Sequence, residues 1–333
     1  MVNSDEVVVS WLLPVRDGGR WLREAVDSML AEKAPQDEVL VVDDGSVDPV
    51  ASWLPPAAGL RVLRQEPGGI VSALERGRKA ARGSLLARVD ADDVVVAGRR
   101  QAQVEWLARH PRAGGVGGRA QMVDESGCPV QGGMARYVHW VNSVTNHRAA
   151  ILIESPVFHP AMMIRAEVVA KLGGYRDGDF PEDYDLWLRM VGAGYALGAV
   201  ATPVIRLRDH GRRLTRTDAR YHRRAFLRLK LEWAGTHLFR EGLRVAVWGA
   251  GRAGRPWLRA VVAQGCRLVA VYDLKSGGVR QGVGVQAWPD VERGCFDLLL
   301  VCVGVAAARA KIRAALGELR PDLVEGKDWW AVT

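Results

Sequence analysis

Leu85-Leu86-Ala87-Arg88-Val89-Asp90-Ala91-Asp92-Asp93 is a short apolar run that ends in three carboxylates. The apolar part is typical of a buried strand, and the acids follow where that strand should end. Hard divalent cations such as Mg²⁺ or Mn²⁺ bind carboxylate oxygens and complete their shell with water and substrate phosphate. The stretch therefore predicts either a metal site for a phosphorylated substrate or a solvated acidic turn that caps the next helix.

Three further apolar runs precede this one, at residues 6–13, 39–42 and 60–63. Amphipathic stretches at residues 21–30 and 70–82 lie between them and are typical of helices. Strands that alternate with helices predict an α/β fold with a doubly wound, mostly parallel sheet. In such sheets ligands bind beyond the carboxyl ends of the strands, where residues 14–17, 43–46 and 90–93 fall. We therefore expect these three segments to line one crevice.

The composition predicts an ordinary globular protein with more than one domain. A length of 333 residues is large for a single core, while 48% apolar and 25% charged residues are usual for folded domains. The first six residues are acidic rather than basic, and no apolar run approaches the roughly 20 residues of a membrane span. The four cysteines form no C-x-x-C pair, so neither a zinc site nor a redox motif is indicated. We expect a cytoplasmic location.

The formal net charge of +8 has one local origin, because residues 206–230 contain ten Lys or Arg and only two acids. Such a segment suits a pyrophosphate, an anionic bilayer surface or nucleic acid, or it is a solvated, salt-bridged helix. Aromatic residues are too sparse for base stacking, so we expect no nucleic-acid partner. An amphipathic helix near residues 220–233 is predicted to pack between domains. The alternative is peripheral membrane contact through residues 206–233.

The motifs taken together resemble the inverting family 2 glycosyltransferases, which have the GT-A fold. The resemblance extends from about residue 7 to about residue 216 and rests on the order and spacing of its pieces. These are Val7-Val8-Val9-Ser10 with Pro14-Val15, Val41-Val42-Asp43-Asp44-Gly45-Ser46 with Asp48, Ala87-Arg88-Val89-Asp90-Ala91-Asp92-Asp93, His159-Pro160-Ala161-Met162, and Phe180-Pro181-Glu182-Asp183-Tyr184-Asp185-Leu186-Trp187-Leu188.

The resemblance implies a nucleoside-diphosphate sugar as donor and a glycan or lipid-linked hydroxyl as acceptor. Asp43 would accept a hydrogen bond from the nucleotide base, with Asp44 beside it. An anionic acceptor suits the imide N–H of uracil, so a UDP-sugar is favoured. The residues expected to bind the nucleotide sugar are Pro14, Asp17, Asp43, Asp44, Gly69, Arg88, Asp90, Glu182 and Arg213.

The resemblance also implies a Mn²⁺ or Mg²⁺ site at Asp92, Asp90 and His210, where Asp90 serves either the metal or the ribose. Asp93 caps a helix in the alternative interpretation. Asp183 is the expected general base, which removes the proton of the attacking hydroxyl. Pro181-Glu182-Asp183 is at the same time an ordinary helix start. His159 is either an acceptor-side residue or a structural one.

Two positions depart from the family pattern. Arg16-Asp17 stands where relatives usually carry Tyr-Asn, and Glu75 stands where an asparagine is frequent. These differences leave the donor base and the donor sugar open.

The last ninety residues form a separate pattern. An apolar run at 243–248 leads into Gly249-Ala250-Gly251-Arg252-Ala253-Gly254, then a helical stretch, then a strand that ends at Asp273. This order matches a dinucleotide-binding fingerprint with Gly249, Gly251, Gly254 and Asp273 as its residues. The segment predicts a small Rossmann-like unit that binds a nucleotide or acts as a structural or docking module. No room is left for the catalytic domain of a dehydrogenase.

These observations predict three parts: a GT-A glycosyltransferase domain at 1–218, a basic linker helix at 219–241, and a Rossmann-like domain at 242–333. The expected function is metal-dependent, inverting transfer of a sugar to a hydroxyl acceptor in polysaccharide or glycan biosynthesis. One alternative is an NAD(P)-dependent oxidoreductase that acts through the C-terminal unit. The other is a non-catalytic sensor or scaffold that binds a sugar nucleotide. The sequence does not indicate an oligomeric state.

Overall fold

The computed structural model describes residues 8–333, and the chain divides into two compact units. The first comprises the described part of Met1–His147 together with Val157–His222, and the second comprises Arg148–Pro156 and Arg223–Thr333. The predicted strand residues Glu6 and Val7 lie outside the described residues. The predicted domain limits stay predictions. Among residues 8–333, no helix has both the length and the apolar character needed to cross a bilayer.

The first unit alternates strands and helices along its first ninety residues and is more irregular afterwards. Its elements are β1 (Val9–Val15), α1 (Leu22–Glu32), β2 (Glu38–Asp44), β3 (Leu60–Gln65), α2 (Gly69–Ala80), β4 (Leu85–Arg88), β5 (Val94–Val95), α3 (Arg99–Arg109), β6 (Ala113–Val123), α4 (Gly133–Ser143), α5 (His147–Ala150, which runs into the second unit's segment), β7 (Met163–Arg165), α6 (Ala166–Lys171), α7 (Glu182–Gly192), β8 (Ala196–Arg208) and α8 (Leu214–Thr217).

The strands form one sheet in the order β3-β2-β1-β4-β7-β6-β8-β5. The pairs β1–β2, β2–β3, β1–β4 and β6–β8 are parallel, whereas β7 and β5 run antiparallel to their neighbours. Every residue of β1 and β2 is buried, as expected for central parallel strands covered on both faces. The predicted α/β class with a mostly parallel sheet is confirmed.

The predicted end of the first strand is wrong by two residues, because β1 continues through Pro14 to Val15. Proline removes one ladder hydrogen bond and is usually confined to positions with a free side. The pairing of β1 with β4 stops at Leu12, so Pro14 has a ladder neighbour only in β2. The suggestion that Asp93 caps a helix is also wrong, since β5 follows it and Gly98 is the N-cap of α3.

The second unit is a smaller α/β structure. Its elements are α9 (Arg223–His237), β9 (Arg244–Trp248), α10 (Gly254–Ala263), β10 (Arg267–Asp273), β11 (Val279–Arg280), β12 (Val283–Ala287), β13 (Leu298–Val301), α11 (Ala306–Leu319) and β14 (Trp329–Ala331). The sheet order is β11-β12-β10-β9-β13-β14, and the pairs are parallel except for the β11–β12 hairpin. The glycine-rich loop joins β9 to α10, and Asp273 ends β10, as the sequence predicts.

The topology of the first unit determines where its polar residues meet. Strands β1, β2 and β4 are adjacent and parallel, with Val15 paired to Asp43 and Leu12 paired to Arg88. Their carboxyl ends therefore lie along one edge of the sheet. Residues 16–17, 45–46 and 90–93 follow directly from these ends, as expected for a ligand crevice in a doubly wound fold.

Candidate active site

A carboxylate cluster lies just beyond the end of β4. Asp90, Asp92 and Asp93 each present an oxygen atom, and these atoms lie within 4.8 Å of one another. Asp90 and Asp92 are partly exposed, whereas Asp93 is fully buried. One oxygen of Asp93, Oδ2, is buried and accepts no hydrogen bond from any of the described residues. A set of oxygen donors with an unsatisfied buried member fits a hard divalent cation.

His210 completes this cluster from the segment that follows β8. Its Nε2 lies 2.6 Å from Oδ2 of Asp92. The imidazole also rests against Trp21, with ring centroids 4.7 Å apart, and Trp21 itself is almost fully buried. The structure therefore brings the three predicted metal ligands Asp90, Asp92 and His210 together, although 118 residues separate the last two.

Two arginines offset the negative charge of the cluster. Arg88 is buried and forms an ion pair with Asp90. Burial alone would lower the pKa of Arg88, but the charge and hydrogen bond of Asp90 together with the charges of Tyr175 and Glu182 outweigh burial and raise that pKa, so the guanidinium stays charged. Arg213 lies 3.9 Å from Asp90 and 3.6 Å from Asp93, and it donates a 2.7 Å hydrogen bond to the carbonyl of Arg208. Arg213 is thus fixed beside the acids.

The residues expected in the nucleoside pocket hold two turns in place. Asp43 accepts hydrogen bonds from the backbone N–H of Ser46 at 2.8 Å and of Val50 at 3.2 Å, and it pairs with Arg64 at 2.7 Å. Burial would raise the pKa of Asp43, but these bonds together lower it. The carboxylate therefore stays ionised at the end of β2.

Asp44 and Asp17 connect the turn after β2 to the loops that follow β3 and β1. Asp44 accepts hydrogen bonds from the N–H groups of Gly68 at 2.7 Å and Gly69 at 2.8 Å. Asp17 has a φ of 50°, a rare conformation for a residue other than glycine, and its N–H donates to the hydroxyl of Ser46 at 2.9 Å. Strained backbone of this kind is concentrated at functional sites. The predicted residues Pro14, Asp17, Asp43, Asp44 and Gly69 thus belong to adjoining loops at the same sheet edge.

A second acidic pair opens α7. Glu182 is 2% exposed, whereas the neighbouring Asp183 keeps part of its surface open to solvent. Burial raises the pKa of Asp183 to about 7, and the negative charge of Glu182 adds to the effect. A carboxyl group with this pKa that remains accessible is suited to accept a proton near neutral pH.

Glu182 accepts a hydrogen bond from Tyr221 and lies close to His159. The hydroxyl of Tyr221 donates to its Oε2 at 2.8 Å, and Nδ1 of His159 lies 3.9 Å from its Oε1. The other ring nitrogen of His159 meets the hydroxyl of Tyr175 at 2.9 Å. Burial lowers the pKa of His159 well below its ordinary value, and the charge of Arg88 lowers it further. The imidazole is therefore neutral, and both its nitrogens face protein groups.

Sequence reasoning missed Tyr175 and Tyr221. Tyr221 lies in the basic segment 206–230, whose aromatic residues are too sparse to suggest base stacking. No local pattern connects it to Glu182, which is 39 residues away along the chain. Glu75, noted as a departure from the family pattern, accepts a 2.8 Å hydrogen bond from the N–H of Tyr175 and pairs with Arg78 at 2.8 Å. Glu75 thereby fixes the loop that carries Tyr175.

The predicted residues of the second unit form their own group. Gly249 has a φ of 118°, and a side chain there would meet the carbonyl oxygen of Cys302 at 2.7 Å. A Cβ on Gly254 would lie 1.8 Å from the carbonyl oxygen of Gly249, while space around Gly251 is open. Asp273 accepts a 2.7 Å hydrogen bond from the N–H of Ala250. The glycines therefore permit a tight strand-to-helix turn with one exposed side.

The family comparison agrees with the geometry of the first unit. The sequence model described as glycosyl transferase family 2 matches residues 10–172. Residues 10–172 belong to glycosyl transferase family 2. The matched region contains β1, β2 and β4 with their polar ends, including Asp43 and the cluster at Asp90, Asp92 and Asp93. The family match thus covers the strand ends that line this edge of the sheet.

Individual relatives are distant in sequence. An uncharacterized glycosyltransferase of Rickettsia felis is 27% identical over 55% of this chain and 31% of its own length. The UDP-Gal:alpha-D-GlcNAc-diphosphoundecaprenol beta-1,3-galactosyltransferase of Escherichia coli is 25% identical over 54% of this chain and 66% of its own length. The chain therefore spans about one-third and two-thirds of these two relatives.

The fold of the family 2 unit is also seen in a solved structure. The crystal structure of S. aureus TarS residues 1–349 in complex with UDP-GlcNAc superposes with a TM-score of 0.54 at 15% identity. The match covers 70% of this chain and 68% of that one. A likeness at this identity concerns the fold alone, and it confirms the predicted GT-A architecture.

Proposed function

We propose that the chain transfers a sugar from a nucleoside-diphosphate sugar, with a UDP-sugar favoured, to a hydroxyl acceptor during glycan or polysaccharide assembly. The observation that carries this proposal is that Arg88 interacts with both acidic centres, the cluster after β4 and the acidic pair that opens α7. The cluster of Asp90, Asp92 and Asp93 with His210 suits a metal and a diphosphate, and Asp183 suits a base. Arg88 pairs with Asp90 and also acts electrostatically on Asp183.

The proposed donor site uses the sheet edge described above. Asp90, Asp92 and His210 would hold Mn²⁺ or Mg²⁺, and Arg213 lies where it adds positive charge to the same site. When bound, such a cation neutralises the charge that develops on a departing diphosphate. Asp43, Asp44 and Asp17 shape the neighbouring pocket for the nucleoside.

The proposed chemistry is a single in-line displacement. Asp183 accepts the proton of the acceptor hydroxyl while the hydroxyl oxygen forms a bond to the anomeric carbon. The bond between that carbon and the diphosphate oxygen breaks, and the nucleoside diphosphate leaves with the electron pair. Attack from the face opposite the leaving group inverts the anomeric configuration. Arg213 and Arg88 hold positive charge on the side of the leaving group.

The names of the relatives support the substrate classes. The E. coli relative is named for a UDP-Gal donor and a diphosphoundecaprenol-linked acceptor, and the TarS crystal contains UDP-GlcNAc. We therefore propose a UDP-sugar donor and a glycan or lipid-linked acceptor for this chain. A cytoplasmic location, with peripheral membrane contact through residues 206–233, stays part of the same hypothesis.

A panel of nucleotide sugars tests the proposal. Release of nucleoside diphosphate is measured for UDP-, GDP- and dTDP-sugars in the presence of Mn²⁺ and a lipid-linked acceptor extract. The proposal expects turnover of at least one donor, a loss of at least a hundredfold in Asp183→Asn, and near-normal turnover in the control Glu167→Gln, an exposed acid of the same unit. Full activity in Asp183→Asn would exclude Asp183 as the base.

A further inference from the structure

The second unit contains a pocket that the proposed glycosyl transfer does not use. It has a volume of about 280 Å³ and lies between the first turns of α10 and the β11–β12 hairpin. Its lining consists of Arg255, Leu258, Arg259, Val279, Arg280 and Gln281. Three of these six side chains are arginines, and none is acidic.

The arginines of this pocket lack a paired carboxylate among the described residues 8–333. None of the ion pairs formed within residues 8–333 involves Arg255, Arg259 or Arg280. The nearby acid, Asp273, is engaged elsewhere, because its two oxygens accept the N–H groups of Ala250 and Leu274, each at 2.7 Å. Like charges gathered in one pocket repel one another, and an anionic ligand would relieve that repulsion.

The third arginine is held rigidly. Nε of Arg280 donates to the carbonyl of Ala250 at 2.9 Å, and its Nη1 donates to the carbonyl of Val279 at 3.0 Å. Arg280 directly precedes the two-residue turn Gln281-Gly282, where φ is 48° and 81°, as in tight hairpin turns. The guanidinium is therefore fixed against the glycine-rich loop before any ligand arrives, which lowers the entropy lost on binding.

The backbone beside the pocket also suits an anion. The helix α10 has ten residues, and its N-cap, Ala253, makes no side-chain capping bond. Gly251 has open space around it, so a ligand can approach the loop closely. The positive end of the helix dipole thus adds to the charge of the arginines.

We propose that this arginine pocket binds the phosphate monoester of a small metabolite, either a mononucleotide or a sugar phosphate. Guanidinium groups bind phosphate oxygens in bidentate fashion, and three of them line this pocket. The volume is near the lower end of small-molecule sites and matches one phosphate with one ring system attached. Leu258 and Val279 supply apolar walls for that ring. The pocket belongs to the second unit, and this proposal does not depend on the function proposed for the first.

Titration calorimetry of the full chain tests this proposal. AMP is compared with adenosine, and ribose 5-phosphate with ribose, all in EDTA so that metal-dependent binding in the family 2 unit is suppressed. The phosphorylated compound of a pair is expected to bind at least tenfold more tightly than its partner. A preference for AMP over ribose 5-phosphate identifies a nucleotide site, and equal affinities identify a site for the sugar phosphate.

The double variant Arg255→Ala/Arg259→Ala locates the binding. These two side chains are chosen because, unlike Arg280, they form no hydrogen bond to the glycine-rich loop within residues 8–333. The double variant is expected to lose at least tenfold in affinity for AMP. The control Arg267→Ala, at the amino end of β10, should leave it unchanged. Equal binding of AMP and adenosine, no binding of either phosphorylated compound, or unchanged affinity in the double variant would overturn the proposal.

Discussion

Replacing Tyr221 by phenylalanine should change the pH dependence of sugar transfer. The Tyr221 hydroxyl donates a 2.8 Å hydrogen bond to Glu182, which favours the ionised form of that buried carboxyl group. Ionised Glu182 in turn raises the pKa of Asp183, in addition to the larger effect of burial. In Tyr221→Phe, Glu182 holds a proton more of the time, so it repels the Asp183 carboxylate less. The pKa of Asp183 should therefore fall.

The size of the effect follows from the bond that is lost. A hydrogen bond to a charged group contributes about 1.5–3 kcal/mol, and about 1.4 kcal/mol corresponds to a tenfold change in a protonation equilibrium. The ratio of protonated to ionised Glu182 should therefore rise about tenfold or more. Because Asp183 is affected only through this charge, we expect its own pKa to fall by at most about one pH unit.

The assay is kcat/KM for nucleotide-sugar turnover as a function of pH. In the wild type, activity requires ionised Asp183, so it should fall about tenfold per unit below pH 7, where that group titrates, and level off above. The midpoint should move to lower pH in Tyr221→Phe and stay in place in Tyr195→Phe, which removes a phenol hydroxyl elsewhere in the same unit. The other charged or titratable neighbours, Arg88, Arg220, His159 and Tyr175, are unchanged in both variants. An unmoved midpoint, or one at higher pH, would refute this reasoning.

Two predictions concern stability. Gly254→Ala places a Cβ 1.8 Å from the carbonyl oxygen of Gly249 and should lower the free energy of unfolding of the second unit, measured by urea titration, by about 1–3 kcal/mol. Gly251→Ala, which has open space around it, should leave that free energy unchanged. Asp44→Ala leaves the N–H groups of Gly68 and Gly69 without their acceptor and should cost about 1–3 kcal/mol in the first unit, measured by hydrogen exchange of the loop. Equal stabilities of the two glycine variants, or unchanged exchange at the loop, would contradict these accounts.

The first half of the first unit was predictable because its signals are local. Buried runs of β-branched and aliphatic residues gave β1, β2, β3 and β4 within a few residues, and their alternation with helices gave the parallel sheet. The error at Pro14 arose because the sequence alone does not show how many neighbours a strand has. The error at Asp93 arose because the two-residue strand β5 lies between it and the next helix.

The later half of the site was less predictable, since its contacts join distant segments. The approach of His210 to Asp92 followed from the family resemblance and not from any spacing along the chain. The hydrogen bond from Tyr221 to Glu182 had no signal at all, because tyrosines in a basic segment are compatible with many roles. The arginine pocket was equally unpredictable, because Arg255 and Arg280 are distant along the chain and line the same pocket only in the folded unit.

The central claim is that the carboxylates after β4 bind a nucleoside diphosphate through a divalent cation. Titration calorimetry of UDP into the full chain, with Mn²⁺ or with EDTA, tests it most directly. The account predicts binding with Mn²⁺, at least tenfold weaker binding in EDTA, and loss of the Mn²⁺-dependent part in Asp92→Ala but not in the exposed control Asp48→Ala. Binding of UDP that is equally tight in EDTA and in Asp92→Ala would contradict it.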